Sequence, residues 1–322
     1  MPIYSEENNY NDLIQNRIRT LNIFEQDSEA YGTLCDFSGT LIGTTDNNPN
    51  RFRYFNDYVS VGKRVLDKRI SKEFLYNNGN ISEFIKTYSY QYDNPLHYQL
   101  TKETNIYSDN TVSTTNYKYA HEKSNQKLIN ANIIGIPLET EVKQNSKTIS
   151  KVETKYDNLS NLFPSSVLSY DNLNASPSTE VTYDQYDSKG NLQQYTTKSG
   201  IPVAIVWGYN GTQPIAKIEG TTYAQVQSLA AAIMTASDTD ASAAPNNDEA
   251  DLLNALKTFR AGLPNYQVTT YTYDPLIGVR SITPPSGVRE VYLYDTANRL
   301  MEIREQSKTG KLLKEFKYNY KN

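Results

Sequence analysis

Cysteine, histidine and tryptophan are almost missing from this chain: its 322 residues hold one cysteine, two histidines and one tryptophan. A single Cys35 cannot form an internal bridge, which excludes a disulfide framework and leaves the redox compartment open. Its expected role is that of a small buried or half-buried side chain. His97 and His121 have no second ligand at zinc spacing and no nucleophile in a recognisable motif, so surface or internally satisfied histidines are predicted. No window approaches the ~20 apolar residues of a membrane helix. The opening stretch MPIYSEENNYNDLIQNRI carries acidic residues and lacks the apolar run of a signal peptide. The formal charge is −4, with 32 basic and 36 acidic residues interspersed. That balance gives no basic footprint for nucleic acid and no polybasic membrane patch. No Gly-rich phosphate loop, Ser-His-Asp order or paired-acid motif stands out, so the chain reads as a non-enzyme with no catalytic residue, metal or cofactor.

What is present is tyrosine, 27 residues against 9 phenylalanines. That bias suits pleated, half-buried surfaces on which a ring packs and a hydroxyl reaches water or a partner. Tyrosine also lines sugar-binding surfaces, but its recurrence at strand positions points to β-structure first. The tail 270–322 displays the pattern most clearly. Val291-Tyr292-Leu293-Tyr294 alternates, Asp295-Thr296-Ala297-Asn298-Arg299 supplies an Asp that caps backbone N–H groups and an Asn suited to positive φ, and Leu300 to Arg304 returns in alternation. A further turn at Thr309-Gly310 leads to a strand expected over 312–320, which includes Tyr318.

Upstream, similar hairpins are predicted. Residues 70–76 and 81–92 flank Asn77-Asn78-Gly79-Asn80; 100–107 and 112–119 flank Ser108-Asp109-Asn110; 136–142 and 149–156 flank Gln144-Asn145-Ser146. Arg51 to Phe55 reads as a strand, and Asn11 to Arg19 as a short helix or an irregular lead-in. Tyr-Asp pairs recur at Tyr92-Asp93, Tyr156-Asp157, Tyr170-Asp171, Tyr183-Asp184, Tyr186-Asp187, Tyr273-Asp274 and Tyr294-Asp295, without the fixed period of a solenoid. Their carboxylates are explained as turn caps, and Gly190 supplies a left-handed residue.

One segment departs from the β pattern. Thr222 and Gln225 form a capping-box signal before Tyr223, Val226, Leu229, Ala230 and Ile233 at helical spacing. Ser237 to Asn246 reads as a flexible link. Asn247-Asp248-Glu249 then opens a second helix with Leu252, Leu253, Leu256 and Phe259 inward, stopped by Gly262 and Pro264. A helical hairpin inserted between strands most simply covers a sheet face or edge, with a docking site as the alternative. The predicted organisation is a lead-in with short strands over 1–69, hairpin sheet over 70–207, the helical insertion over 208–264, and terminal strands over 265–322.

At the Tyr-Asp units the sequence resembles the Rhs/YD-repeat family of large bacterial surface and secreted proteins, whose repeat runs approximately Tyr-Asp-x-x-Gly-Arg-Leu. Tyr186-Asp187-Ser188-Lys189-Gly190-Asn191-Leu192 matches except for Asn191. Tyr294-Asp295-Thr296-Ala297-Asn298-Arg299-Leu300 matches with Asn298 in place of Gly, which the left-handed tolerance of Asn allows. The structural-repeat set is thus Tyr156, Asp157, Tyr183, Asp184, Tyr186, Asp187, Gly190, Tyr273, Asp274, Tyr294, Asp295, Arg299 and Tyr318. The resemblance implies a mainly β fold, a long curved antiparallel sheet of successive hairpins that in full-length members wraps around a toxin or other cargo. This chain is expected to be an open sheet and a piece of a larger or split protein, secreted or at the cell surface if so and of unknown location as encoded. Asp274-Pro275-Leu276-Ile277-Gly278 resembles the Asp-Pro-x-Gly element at which some members cleave themselves, with one residue too many. Two functional classes result. The first is a structural scaffold holding protein cargo or an upstream YD-repeat segment; the second is an adhesion module binding carbohydrate or protein through exposed tyrosines.

Overall fold

In the computed structural model the described residues are 4–25, 52–77, 80–172, 176–242 and 247–318, with backbone alone for 14–25, 52–61 and 77. Cys35 and the Asn78-Gly79 tip lie outside them. The chain divides into two compact units, residues 1–124 with 134–149 and residues 125–133 with 150–322.

The first unit is an antiparallel ladder in chain order: β1 (Tyr4–Glu25), β2 (Phe52–Asn77), β3 (Asn80–Gln91), β4 (Lys102–Ile106), β5 (Val112–Lys118) and β6 (Glu139–Gln144). Asn11 to Arg19 lies inside β1 and is strand, correcting the expected helix or irregular lead-in. The spacing of Leu13, Ile14 and Ile18 fits either period, and β2 decides the matter by pairing with β1 from Tyr4↔Glu73 to Glu25↔Phe52. Burial is slight along these ribbons and concentrates around Tyr119, Ala120, Leu138, His97 and Glu139.

The second unit opens on a short helix, α1 (Gln126–Asn130), capped by Asn125, whose Oδ1 accepts from Leu128 N. Lys127 of α1 reaches three backbone carbonyls, those of Tyr156, Asn158 and Asn161, at 2.8, 2.7 and 2.9 Å. The strands follow as β7 (Lys147–Lys155, entering this unit at residue 150), β8 (Ser166–Tyr170), β9 (Pro177–Tyr186), β10 (Leu192–Thr197), β11 (Pro202–Gly208) and β12 (Gln213–Glu219). After two helices come β13 (Gln267–Asp274), β14 (Gly278–Thr283), β15 (Glu290–Tyr294), β16 (Leu300–Glu305) and β17 (Leu312–Glu315). From β7 onward each pairs antiparallel with the next. The fold is therefore mainly β, successive antiparallel hairpins with one helical pair inserted, as the alternation predicted. The last strand stops at Glu315, short of the expected Tyr320, and Tyr318 lies beyond it.

The helices are α2 (Tyr223–Ala241) and α3 (Ala250–Ala261). At the start of α2, Gln225 Oε1 accepts from Thr222 N at 3.0 Å. Its end corrects the sequence reading: Ser237 to Ala241 continue the helix rather than begin a link. Val226, Ala230 and Ile233 of α2 and Leu252, Leu256 and Phe259 of α3 are buried with Ala204, Val206, Ile215, Ala216, Ile218 and Val268 of β11–β13. This is the deep core of the second unit, and it covers a sheet face. Leu229, expected inward, is 39% exposed. The helix sits close to the sheet because residue 208 is glycine: a Cβ there would lie 2.2 Å from Ser237 Oγ and 2.8 Å from Ile215 Cδ1.

Candidate functional site: ring-closed corners and a buried polar anchor

Two hairpin corners are built alike, bond for bond. After β9, Asp187 Oδ1 accepts from Lys189 N and Asn191 N, both at 2.8 Å. After β15, Asp295 Oδ1 accepts from Ala297 N at 2.9 Å and Arg299 N at 3.0 Å. The fifth residue of the motif is left-handed in each, Gly190 at φ +89° and Asn298 at +56°. The sixth residue of the motif then satisfies the other carboxylate oxygen: Asn191 Nδ2 donates to Asp187 Oδ2 at 3.0 Å, and Arg299 Nε donates to Asp295 Oδ2 at 2.8 Å. Asn191 thus makes the carboxylate bond that Arg299 makes at the same place in the other corner. Burial pushes the Asp187 carboxyl up, but hydrogen bonds from Asn191, Lys189 and Gly190 outweigh it and hold the carboxyl below its ordinary range. Asp295 is lowered chiefly by Arg299.

The tyrosines do something the sequence reading did not state. At the end of β9, Tyr186 Oη donates to Pro164 O at 2.9 Å, just before β8 begins. At the end of β13, Tyr273 Oη donates to Pro214 O at the start of β12, also at 2.9 Å. Tyr294, ending β15, donates to Val279 O near the start of β14 at 2.8 Å, and Tyr318, past β17, donates to Leu300 O at the start of β16 at 2.8 Å. In the first unit, Tyr119 after β5 donates to Leu100 O at 2.6 Å, and Tyr92 after β3 donates to Leu66 O at 3.2 Å, where the β2–β3 ladder begins. Trp207 fills the same position at the end of β11, its Nε1–H donating to Leu192 O at 2.8 Å. Each ring closes the open end of a strand pair by donating to a carbonyl at or near the start of the pair's ladder. Burial pushes the phenols of Tyr119, Tyr186 and Tyr273 up to about 12, so they remain donors across the ordinary pH range.

The predicted repeat residues do not all share this geometry. Tyr183 and Asp184 lie within β9, where Tyr183 faces Tyr195 of β10 and Asp184 Oδ2 accepts from Thr196 Oγ1 at 2.7 Å. They form a cross-strand pair rather than a corner. Tyr156 is buried at the end of β7, but the Asp157 carboxylate accepts no hydrogen bond among the described residues; instead Asp157 N donates to Ser165 Oγ at 3.0 Å. Asp274 likewise makes no side-chain cap among the described residues and closes the β13–β14 hairpin by pairing with Gly278. The Asp-Pro-containing stretch is that hairpin's connection, with Leu276 at φ +71° and fully exposed. Tyr119 and Trp207 were missed because Ala120 and Gly208 follow them where the motif has Asp. An aromatic residue ending a strand was the remaining signal.

A second constellation ties the helical pair to the strands beneath. Tyr273 N donates to Tyr209 Oη at 2.9 Å, Tyr209 Oη donates to Asp240 Oδ2 at 3.0 Å, and Asn247 Nδ2 donates to Asp240 Oδ1 at 2.9 Å. Asn247 Oδ1 then accepts from Arg280 Nη1 at 2.9 Å, and Arg280 Nε lies 3.2 Å from Glu249 Oε2. Glu249 and Arg280 are both buried, and Glu249 Oε1 has no hydrogen-bond partner among the described residues. Burial raises the Glu249 carboxyl above its ordinary value although Thr272 and Arg280 pull it down. The anchor passes through the end of β11, the end of α2, the start of α3, β13 and β14. Sequence reasoning saw Asn247-Asp248-Glu249 only as favourable helix-start charge.

In the first unit a smaller lock holds the turn after β3. His97 accepts from Gln99 N through Nδ1 at 2.9 Å, so its Nε2–H donates to Glu122 Oε1 at 3.0 Å. Asn94 also donates to Glu122, and Tyr119 N donates to its second oxygen at 2.9 Å. Burial raises the Glu122 carboxyl, these donors lower it further, and the balance falls at about 2. His97 is thus a satisfied internal histidine.

No protein-family profile matches the chain, and no curated protein does. Among solved structures, it is similar to the crystal structure of TcdB2-TccC3 without hypervariable C-terminal region, with 12% identity, 77% of this chain and 12% of that chain covered, and a TM-score of 0.35. It is similar to the Photorhabdus luminescens Tc holotoxin pore at 13% identity, covering 79% of this chain and 12% of that one, with a TM-score of 0.35. A porin-like protein from Bacteroides uniformis aligns at 12% identity over 74% of this chain and 83% of the other, with a TM-score of 0.25. The chain spans 12% of the length of the two toxin chains, and all three scores are too low to bear on function.

Proposed function

We propose that the chain is a non-enzymatic structural scaffold, a segment of a YD-repeat β-shell that encloses or presents protein cargo or joins an upstream segment of the same kind. The single observation that carries this reading is the repeated closure of strand pairs by a ring donor at the end of the second strand, seen from Tyr92 to Tyr318. A unit closed by its own neighbour can be added serially, which is how extended repeat surfaces are built. The matches at residues 186–192 and 294–300 support the same reading, since both fall on Asp-capped corners. On this proposal the Tyr-Asp residues act in structure and not in chemistry. The direct test is to co-express the chain with the product of the adjacent reading frame and measure elution and stoichiometry. A defined complex is expected, and separate elution of two folded proteins would count against it.

An adhesion module is the second reading, favoured by the exposed rings of Tyr4, Tyr10 and Tyr76 at 49%, 56% and 49%. A glycan array separates the two, because specific sugar binding abolished by Tyr10→Ala and Tyr76→Ala would replace the scaffold reading with this one.

A further inference from the structure

The face beneath α3 is polar where a covered sheet face is ordinarily apolar. Thr270 stands opposite Thr283 across the β13–β14 ladder, and Thr272 stands opposite Ser281. These four hydroxyl residues line a cleft of about 430 Å³, walled by Leu253 and Leu256 of α3. Thr270, Thr272 and Ser281 are only 2%, 1% and 2% exposed. Thr272 and Ser281 bond each other at 2.9 Å, but the hydroxyl of Thr270 makes no hydrogen bond among the described residues. Thr270 lines a space large enough for a small ligand.

The charged side chains that line this cleft are basic. Lys257, Arg260 and Arg289 line it, and no acidic side chain does. Arg260 is fixed by the carbonyls of Val268, Thr283 and Pro284, and Arg289 by Gln306 O at 3.1 and 2.5 Å. Those acceptors hold the guanidiniums in place without neutralising them. Glu249, on the same helical pair, is tied to Arg280, and the Thr272 hydroxyl and the Arg289 charge also act on it. Lys257 is exposed and has no ion-pair partner among the described residues.

We propose that this cleft binds a small hydroxylated oxyanion, a sugar acid or sugar phosphate. The cations take the charged group, the Thr and Ser hydroxyls exchange hydrogen bonds with the ligand's hydroxyls, and the two leucines take its apolar face. The site is independent of the scaffold reading, which uses none of these residues.

The test is calorimetric titration of the full chain with glucuronate, glucose 6-phosphate, glucose and inorganic phosphate. Saturable one-to-one binding of at least one charged sugar is expected, with glucose and inorganic phosphate each at least about tenfold weaker, a factor equal to ~1.4 kcal/mol. Which charged sugar binds identifies the oxyanion. Lys257→Met and Thr270→Val should each weaken binding by about tenfold. Lys257→Met, at an exposed helix position, should leave the urea midpoint unchanged, so that its loss is one of binding. The proposal fails if neither charged sugar saturates, if glucose or inorganic phosphate binds as tightly, or if Lys257→Met has no effect.

Discussion

Replacing Gly190 by valine attacks a corner in two ways at once. The backbone there is at φ +89°, and a Cβ would lie 2.6 Å from Phe163 Cζ and 3.0 Å from Cε1. A left-handed conformation costs a side-chain-bearing residue about 1–2 kcal/mol. Forcing extra carbon into a packed contact adds about 1–3 kcal/mol. The expected loss is therefore about 2–5 kcal/mol. Phe163 cannot retreat freely, because its ring packs 4.8 Å from that of Tyr186, the ring that closes the same corner. Gly200 provides the control: it has φ +79° and nothing within 4 Å of a Cβ, so Gly200→Val should show the conformational term alone, about 1–2 kcal/mol. Urea unfolding followed by Trp207 fluorescence reads both variants, since the sole tryptophan lies in the same unit. Equal losses at the two glycines would refute the packing argument, and an unchanged midpoint for Gly190→Val would refute the corner itself.

Removing one member of the buried pair should be costly. Glu249→Ala leaves Arg280 uncompensated and is expected to destabilise the second unit by about 3–5 kcal/mol, whereas Glu249→Leu with Arg280→Met should recover much of that in urea melts. In the first unit, Glu122 and Glu139 are both held at about 2, against an ordinary 4.5; for Glu139, burial raises it and Lys118 and Lys123 lower it further. Their folded values are depressed, so the stability they contribute is complete above pH 4.5 and is lost as pH falls through about 2. Circular dichroism melts across that window should show a falling midpoint, and Glu122→Gln with Glu139→Gln should flatten the slope. Lys127→Met strips the ammonium from three carbonyls and should cost about 1–3 kcal/mol, read as faster amide exchange around Asn158 to Phe163.

Local chemistry was legible in the sequence where one short segment contains both donor and acceptor. Asp187 to Asn191 and Asp295 to Arg299 complete their own hydrogen bonds, so motif and geometry coincide. The capping signal at Thr222 and Gln225 and the inward Leu252, Leu256 and Phe259 are similarly local. Contacts made across the fold were not legible. Trp207 bonds Leu192, and Tyr273 bonds Pro214, 59 residues earlier, so ring closure depends on which strand lies beside which. Ser237 looked like a linker residue because it is polar, yet it lies buried in α2, donating to Met234 O and accepting from Tyr209 N. The hydroxyl floor at Thr270 and Thr272 read as ordinary strand alternation, because nothing in the sequence says that a helix will cover that face. Strand β1 was misjudged for the same reason: its partner begins at Phe52, far along the chain.

If ring hydroxyls close the strand pairs, deleting one hydroxyl oxygen at a time should weaken the fold at those corners and nowhere else. Tyr186→Phe, Tyr273→Phe and Tyr294→Phe each keep the ring and remove one hydrogen bond to a backbone carbonyl, so each should lower the unfolding free energy by about 1 kcal/mol. Tyr183→Phe, in the middle of β9 with no such bond, should stay within about 0.5 kcal/mol of the parent. A series in which all four variants behave alike would contradict the account.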